Sequence, residues 1–136
     1  LETGDDRKLK DSLAQLAAMD GDNFLLRKKL LELSYDARDW DDAARWGTEA
    51  YQIDVTDAEV HARLGDVFSK KGQYARAVEA LETAASLSPD QLDWRVALAE
   101  MHSRAGDEAA AIEVLERLLS EHPDWEKAKS LLEELK

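Results

Sequence analysis

Apolar residues recur along the chain at helical spacing. The clearest run is Leu9, Leu13 and Leu16, whose i, i+4, i+7 spacing places all three on one side of a helix. Leu and Ala dominate the apolar residues and β-branched residues are sparse, which favours helices over strands. The pattern predicts an all-α chain with helices over residues 5–19, 23–36, 39–52, 57–71, 73–86, 91–105, 107–120 and 124–135.

The helices repeat with a period of 34 residues. Side chains that can accept a hydrogen bond from a helix's first turn recur at this interval, which predicts helix N-caps at Asp22, Thr56, Asp90 and Asp124. Thr56 with Glu59 three residues later predicts a capping box. Small residues share another position of the period, which predicts a close helix approach at Ala43, Ala77 and Ala111. Such a period is typical of stacked helical arrays.

The central unit, residues 58–91, resembles the tetratricopeptide repeat. Its residues at the positions that define this family are Leu64, Gly65, Phe68, Ala77, Leu81, Ala84 and Pro89. His61 stands where the family usually has Trp. The flanking units keep part of the pattern, with Leu30, Ala43 and Ala50 in the first and Leu98, Ala111, Leu115 and Pro123 in the third.

The resemblance implies a right-handed superhelix of stacked antiparallel helix pairs in a single domain, residues 1–136. The expected parts are an N-terminal capping helix at 5–19, repeats at 24–57, 58–91 and 92–125, and a C-terminal capping helix at 126–136. The first helix is interpreted as a cap because its outer faces carry Asp6, Arg7 and Lys10. The last is interpreted in the same way from Lys129 and Glu133.

Composition and charge narrow the classes of partner. The net charge of −12 repels phosphate backbones and anionic lipid heads, so neither nucleic acid nor a membrane is expected as a partner. The same charge would attract a basic protein or peptide, or it serves only to keep the domain soluble. The sequence contains no Cys, no membrane-spanning run and no visible signal peptide, so the compartment stays open. Because the chain begins at Leu1 rather than Met, we expect it to be part of a longer protein.

No sequence motif indicates an enzyme. We find no Gly-rich phosphate loop, no H-E-x-x-H and no nucleophile elbow, so no catalytic residue and no cofactor are predicted. The three histidines, His61, His102 and His122, lack the spacing of metal ligands, and no metal is expected.

One set of residues is a candidate binding site. Glu32, Asp66, Glu100 and Glu134 recur at position 9 of the period and form what we call the acidic column. In tetratricopeptide arrays that position lines the concave groove where peptides bind. The residues predicted to line this groove are Lys28, Glu32, Tyr35, Arg63, Asp66, Lys70, Glu100 and Arg104.

The alternative is that this face is only a set of intrahelical ion pairs. Opposite charges stand four residues apart at Lys28–Glu32, Asp66–Lys70 and Glu100–Arg104, and each pair would add a few tenths of a kcal/mol. The resemblance also argues against one family mode, the Lys/Asn clamp on a peptide's terminal carboxylate. Lys28 matches that clamp, but Glu32 and Arg63 replace its asparagines.

The predicted function is therefore a non-catalytic module that binds a protein or peptide through the concave groove. Two alternatives stay open. One is a structural or self-assembly scaffold that uses the convex face, with Trp46 as an exposed aromatic anchor; Trp46 could instead pack over Gly47. The other is an accessory domain of an enzyme whose catalytic part lies elsewhere in a longer protein.

Overall fold

A computed structural model describes residues 3–136, and every regular element in that range is an α-helix. The helices are α1 (Gly4–Met19), α2 (Phe24–Asp36), α3 (Trp40–Ile53), α4 (Ala58–Lys70), α5 (Tyr74–Leu87), α6 (Leu92–Arg104), α7 (Glu108–Glu121) and α8 (Glu126–Leu135). Each helix packs mainly on its neighbours in sequence, and short turns make consecutive helices antiparallel. The predicted all-α fold of stacked helix pairs is confirmed.

Helices α2 to α7 begin one residue later than the period predicted, because their capping residues are displaced by one, whereas α1 begins one residue earlier and α8 two residues later. Asn23 and Asp57 are the N-caps of α2 and α4, and their side chains accept from the backbone N–H of Leu26 and Val60. The predicted caps at Asp22, Thr56, Asp90 and Asp124 are wrong, and so is the Thr56–Glu59 capping box. Thr56 instead donates through its hydroxyl and its backbone N–H to Asp54, and these hydrogen bonds lower the pKa of that carboxyl.

The three helix pairs α2–α3, α4–α5 and α6–α7 have the same turn between their two helices. Arg38, Gly72 and Gly106 stand 34 residues apart and have φ values of 60°, 75° and 93°. The residue after each donates its N–H to a carbonyl five residues back, as Gln73 does to Phe68 at 2.8 Å. This is the Schellman arrangement, which satisfies the carbonyls at a helix end. Arg38 adopts a left-handed conformation that costs a non-glycine residue about 1 kcal/mol or more.

The predicted close approach at the small residues is confirmed, since Ala43, Ala77 and Ala111 are fully buried. Glycines bring α3 and α4 equally close to their neighbours. A Cβ on Gly47 would lie 2.5 Å from Leu64 Cδ2, and one on Gly65 would lie 2.7 Å from Leu81 Cγ. Trp46 is only 4% exposed and packs in the core around α2, α3 and α4, so the proposal that it is an exposed anchor is wrong.

The first helix does not lie as the leucine spacing predicted. In α1 the buried residues are Lys10 and Ala17, whereas Leu9 is 43% and Leu16 is 52% exposed. The expectation that Lys10 lies on a solvated face is therefore wrong, because it is 9% exposed. The physical reason is that α1 has no first helix of its own pair among the described residues and α2 is its main neighbour. Because α2 is its main contact, α1 buries Lys10 and Ala17, each of which is one residue further along the chain than Leu9 and Leu16.

The last helix is short and packs on α7. Ala128 is fully buried, and Leu131, Leu132 and Leu135 pack around it at the edge of the core of α6 and α7. On the other side Glu133 is exposed, and the ammonium of Lys129 lies 3.6 Å from Glu126. The outward side of α8 is therefore polar.

Candidate peptide-binding groove

Three of the predicted groove residues are in direct contact across α2 and α4. The hydroxyl of Tyr35 donates to the carboxylate of Asp66, and the guanidinium of Arg63 lies 4.5 Å from the centre of the Tyr35 ring. The hydrogen bond to Asp66 is the main reason that the pKa of Tyr35 is raised, and partial burial adds to it. Tyr35 therefore stays a protonated donor at neutral pH, and the three side chains form one cluster of ring, cation and carboxylate.

Lys28 binds the next first helix rather than its own. Its ammonium lies 2.9 Å from Asp57 and 3.3 Å from Glu59, at the N-terminus of α4. Burial alone would lower the pKa of Lys28, but the hydrogen bonds and charges of these two carboxylates outweigh it, so the pKa is raised. Lys28 is thus held as a cation between α2 and α4.

The three predicted intrahelical ion pairs are wrong. Within residues 3–136, Lys28–Glu32, Asp66–Lys70 and Glu100–Arg104 do not form. The cause is that the helix stack offers partners on neighbouring helices. Lys28 reaches α4, Asp66 accepts from Tyr35, and the Arg104 guanidinium lies over the ring of Tyr74 at 5.9 Å.

The acidic column is consequently not neutralised by its own helices. Glu32, Glu100 and Glu134 make no ion pair with any residue in the described range 3–136. Glu100 and Glu134 are exposed and Glu32 is half-buried, so their charges are accessible to solvent. A ligand cation would meet these carboxylates without first displacing a protein cation.

Two hollows lie beside the Tyr35 cluster. One, of about 280 Å³, is lined by Tyr35, Glu59, Ala62, Arg63, Asp66 and Trp94. The other, of about 510 Å³, is lined by Tyr35, Asp36, Arg38, Trp40 and Lys70. Together they place Tyr35, Arg63, Asp66 and Lys70 near one another, whereas Glu100 and Arg104 line neither hollow.

Trp94 was not predicted as a groove residue. It stands 34 residues after Val60 and 34 before Ala128, both of which are buried, whereas Trp94 itself is half-buried and lines the smaller hollow. A signal for it existed in the sequence. An indole at a position otherwise held by smaller aliphatic side chains is too large to be buried there and extends to the surface.

The family profile described as "Tetratricopeptide repeat" matches residues 68–135. The chain belongs to the tetratricopeptide repeat family. No curated protein sequence matches it. Among solved structures, one titled "Crystal structure of MamA" is similar, with a TM-score of 0.81 and 23% identity over 97% of this chain and 83% of that one. A second, "MamA 41-end from Desulfovibrio magneticus RS-1", has a TM-score of 0.74 and 16% identity over 90% of this chain and 69% of that one.

At these identities the structural likeness shows the fold alone. Membership of the tetratricopeptide repeat family supports a protein-interaction or scaffold module, and repeats of this kind are typically non-catalytic. The family profile covers the second half of the chain, whereas the Tyr35 cluster lies in α2 and α4, ahead of the matched residues.

This tetratricopeptide repeat domain has a further hollow that the sequence did not indicate. It measures about 570 Å³ and is lined by residues of α5, α6 and α7. Its charged residues are largely paired with one another. Arg95 lies 2.6 Å from Glu121, and His102 lies 3.6 Å from Glu82. A charged ligand would have to displace these partners, so the hollow is less suited to one than the acidic column is.

The described residues hold no cluster of three or more side chains that could bind a metal ion. His61 is buried, as its place in the repeat predicted, and its Nε2 lies 2.8 Å from the carbonyl oxygen of Val55. No helix in residues 3–136 is long and apolar enough to cross a bilayer.

Proposed function

We propose that the domain binds an extended segment of a partner protein, rich in spaced Lys or Arg, along the concave face of its first helices α2, α4, α6 and α8. The observation that carries this proposal is that most of the acidic column has no protein cation as a partner. Three of its four carboxylates, Glu32, Glu100 and Glu134, have no ion pair within residues 3–136, so they are available to a ligand. Had the intrahelical pairs formed, the same face would attract a cation only weakly.

The groove residues have different roles in this proposal. Glu32, Asp66 and Glu100 attract the ligand's cations, and Tyr35 with Arg63 presents a flat surface for its aliphatic stems. Lys70 and Arg104 flank the column and disfavour cations placed off it. Lys28 is already bound to Asp57 and Glu59, so its role is to hold α2 against α4.

The spacing of the acidic column suggests the pattern of the ligand. Packed helices lie about 10 Å apart, so successive carboxylates of the column are separated by about that distance. Three residues of an extended chain span about 10 Å. A segment with a Lys or Arg at every third residue would therefore place one cation near each carboxylate.

The test compares two synthetic peptides of equal length and charge. One has Lys at every third residue among serines, and the other has the same lysines in a single block. We expect the spaced peptide to bind more tightly by fluorescence anisotropy and to lose affinity steeply as salt is raised. Asp66→Lys should weaken it at least about tenfold, or about 1.4 kcal/mol.

The matched control is Glu113→Lys, which makes the same charge change on α7 away from the groove, where the Glu113 side chain is 76% exposed. Because Asp66→Lys also removes the hydrogen bond from Tyr35, Glu100→Lys provides a second groove variant on a side chain without such a contact. Equal weakening by the groove variants and by Glu113→Lys would mean that only net charge matters, and the groove proposal would be wrong.

A further inference from the structure

The exposed leucines of α1 occupy positions of the period that are fully buried in the three helix pairs. Leu9 stands in the same position of the 34-residue period as Ala43, Ala77 and Ala111, all fully buried. Leu16 stands in the position of Ala50, Ala84 and Leu118, which are fully buried too. In the other three pairs these positions lie at the packed interface of the second helix, whereas on α1 they face solvent.

The exposed apolar surface extends beyond α1. Met19 at the end of α1 is 84% exposed and Leu25 in the first turn of α2 is 75% exposed. We call Leu9, Leu16, Met19 and Leu25 the N-terminal apolar face. They make up four of the seven large apolar side chains that are exposed in the described part of the chain, the others being Ile53, Val55 and Leu87. Leu9 and Leu16 lie on one side of α1, and exposed apolar side chains on one side of a helix mark a surface that another element covers.

The residue that begins α1 indicates what that element is. Gly4 stands 34 residues before Arg38, and Gly72 and Gly106 follow at the same interval. Those three residues have positive φ and form the turn from a first helix to its second helix. Here Thr3 caps α1 through a capping box with Asp6, and α1 runs for 16 residues where α3, α5 and α7 have 14. Gly4 thus lies where a turn from a preceding first helix would be made.

A second copy joined head to tail does not fit this surface. Such a copy would bring the outward side of its α8 against α1, because α8 stands in the first-helix position of the period. That side carries Glu133 and Lys129, which is paired with Glu126. Burying these charges against Leu9 and Leu16 would remove them from water without a partner, which is costly.

We propose that the N-terminal apolar face binds an amphipathic first helix of the same polypeptide, which ends in a turn at Gly4 and pairs with α1 as α4 pairs with α5. The helix would come from the segment ahead of Thr3 in a longer form of the protein. Its side facing α1 would carry a glycine, as the side of α4 facing α5 carries Gly65, whose missing side chain leaves room for Leu81. Leu13 stands in the position of Leu81 in the 34-residue period, so α4 has the opening that α1 requires.

The experiment adds a first helix to the 136-residue chain. Residues 57–71, which comprise α4 with both caps, are joined directly ahead of Gly4 in place of residues 1–3, so that Lys71 precedes Gly4 as it precedes Gly72. We expect the extended chain to melt at a higher temperature and the amides of α1 to exchange with solvent at least about tenfold more slowly. The control is the double variant Leu9→Glu, Leu16→Glu in both backgrounds. It should abolish the gain in the extended chain and change the parent little.

Three outcomes would overturn the proposal. One is a gain that survives the double glutamate variant. Another is a gain that appears only when Leu9 and Leu16 are both changed to Ala, since the leucines would then obstruct a first helix. The third is a dimer of the parent chain in sedimentation analysis that the double glutamate variant dissociates, which would assign the N-terminal apolar face to a second copy.

Discussion

The two ends of the helix stack expose different kinds of side chain to solvent. A repeat array must stop somewhere, and its terminal helices have no neighbour on one side. At the C-terminal end, α8 buries Ala128 and turns charged Glu133 outward. At the N-terminal end, α1 buries Lys10 and leaves Leu9 and Leu16 about half exposed. Only α8 has the polar outer side expected of a terminal repeat element.

The difference teaches that position in the period and solvent exposure carry separate information. Both terminal helices lack a pairing partner among the described residues, yet only α1 keeps large apolar side chains at the pairing positions. A helix that is closed to further stacking replaces those side chains with charged ones, as α8 does at Lys129 and Glu133. The two ends can therefore be tested with matched substitutions.

The largest effect is expected at the buried side of α8. Ala128→Asp places an unpaired carboxylate in the core of α6 and α7, and we expect a loss of about 3 kcal/mol in unfolding free energy. The loss cannot exceed the free energy with which α8 docks, since the helix can detach. Urea unfolding measures it. Ser130→Asp, on the exposed side of the same helix, is the control for helix propensity. An equal loss in both variants would show that α8 is not docked through Ala128.

A smaller effect is expected near the N-terminal end, at Asp42 in α3. Burial and then the neighbouring charge of Asp39 raise the pKa of Asp42 above its ordinary value of 3.8. The folded state therefore binds this proton more tightly than the unfolded state, and stability falls as the pH rises through the raised pKa. Asp42→Asn should melt at a higher temperature than the parent at neutral pH.

The same variant supplies its own pH control. Well below 3.8 both states of the parent are protonated at Asp42, so the gain from Asp42→Asn should vanish there. Asp5→Asn changes an exposed carboxylate in the first turn of α1, and it should lower the melting temperature slightly through the helix dipole. A gain from Asp42→Asn that persists in strong acid would mean that ionisation is not its cause.

The smallest effect is expected on the N-terminal apolar face. Leu16→Glu in the 136-residue chain should change the unfolding free energy by no more than about 0.5 kcal/mol, because the side chain is mostly in water already. The matched variant Leu118→Glu changes a fully buried leucine at the same position of the period and should be strongly destabilising. Similar losses in the two variants, measured by chemical denaturation, would remove the contrast between α1 and the interior pairs.

The helices and their order were predictable because the 34-residue period records caps, turns and small residues together. The starts were displaced by one residue because Asp22 and Asn23 are both good N-caps, and so are Thr56 and Asp57. Only the chain path into the helix chooses between such neighbours. The rotation of α1 was not predictable from Leu9, Leu13 and Leu16. Their spacing shows that they share one side of the helix, but it does not show whether a neighbouring helix packs on that side.

The candidate site was less predictable than the fold. Residues four apart in a helix always lie close, so the sequence favoured a pairing of Lys28 with Glu32. The observed partners, Asp57 and Glu59, are about 30 residues further along the chain, at a distance that only the stacking of α2 on α4 makes short. The contact of Tyr35 with Asp66 has the same origin. The groove surface thus depends on how neighbouring repeats are stacked, which the charge pattern of one helix does not record.

Because of the glycine contacts, the repeats cannot exchange places in the stack. Leu64 occupies the space left open by Gly47 of the preceding repeat, and Leu81 occupies that left open by Gly65 in its own. In the third repeat the positions that correspond to Gly47 and Gly65 hold Leu115 and Ala99, so that repeat cannot offer the same two openings. Exchanging the first and third repeats would set Leu64 of the second repeat against Leu115 instead of Gly47. The repeats share a length and a fold, but the positions of the glycines determine the order in which they can stack.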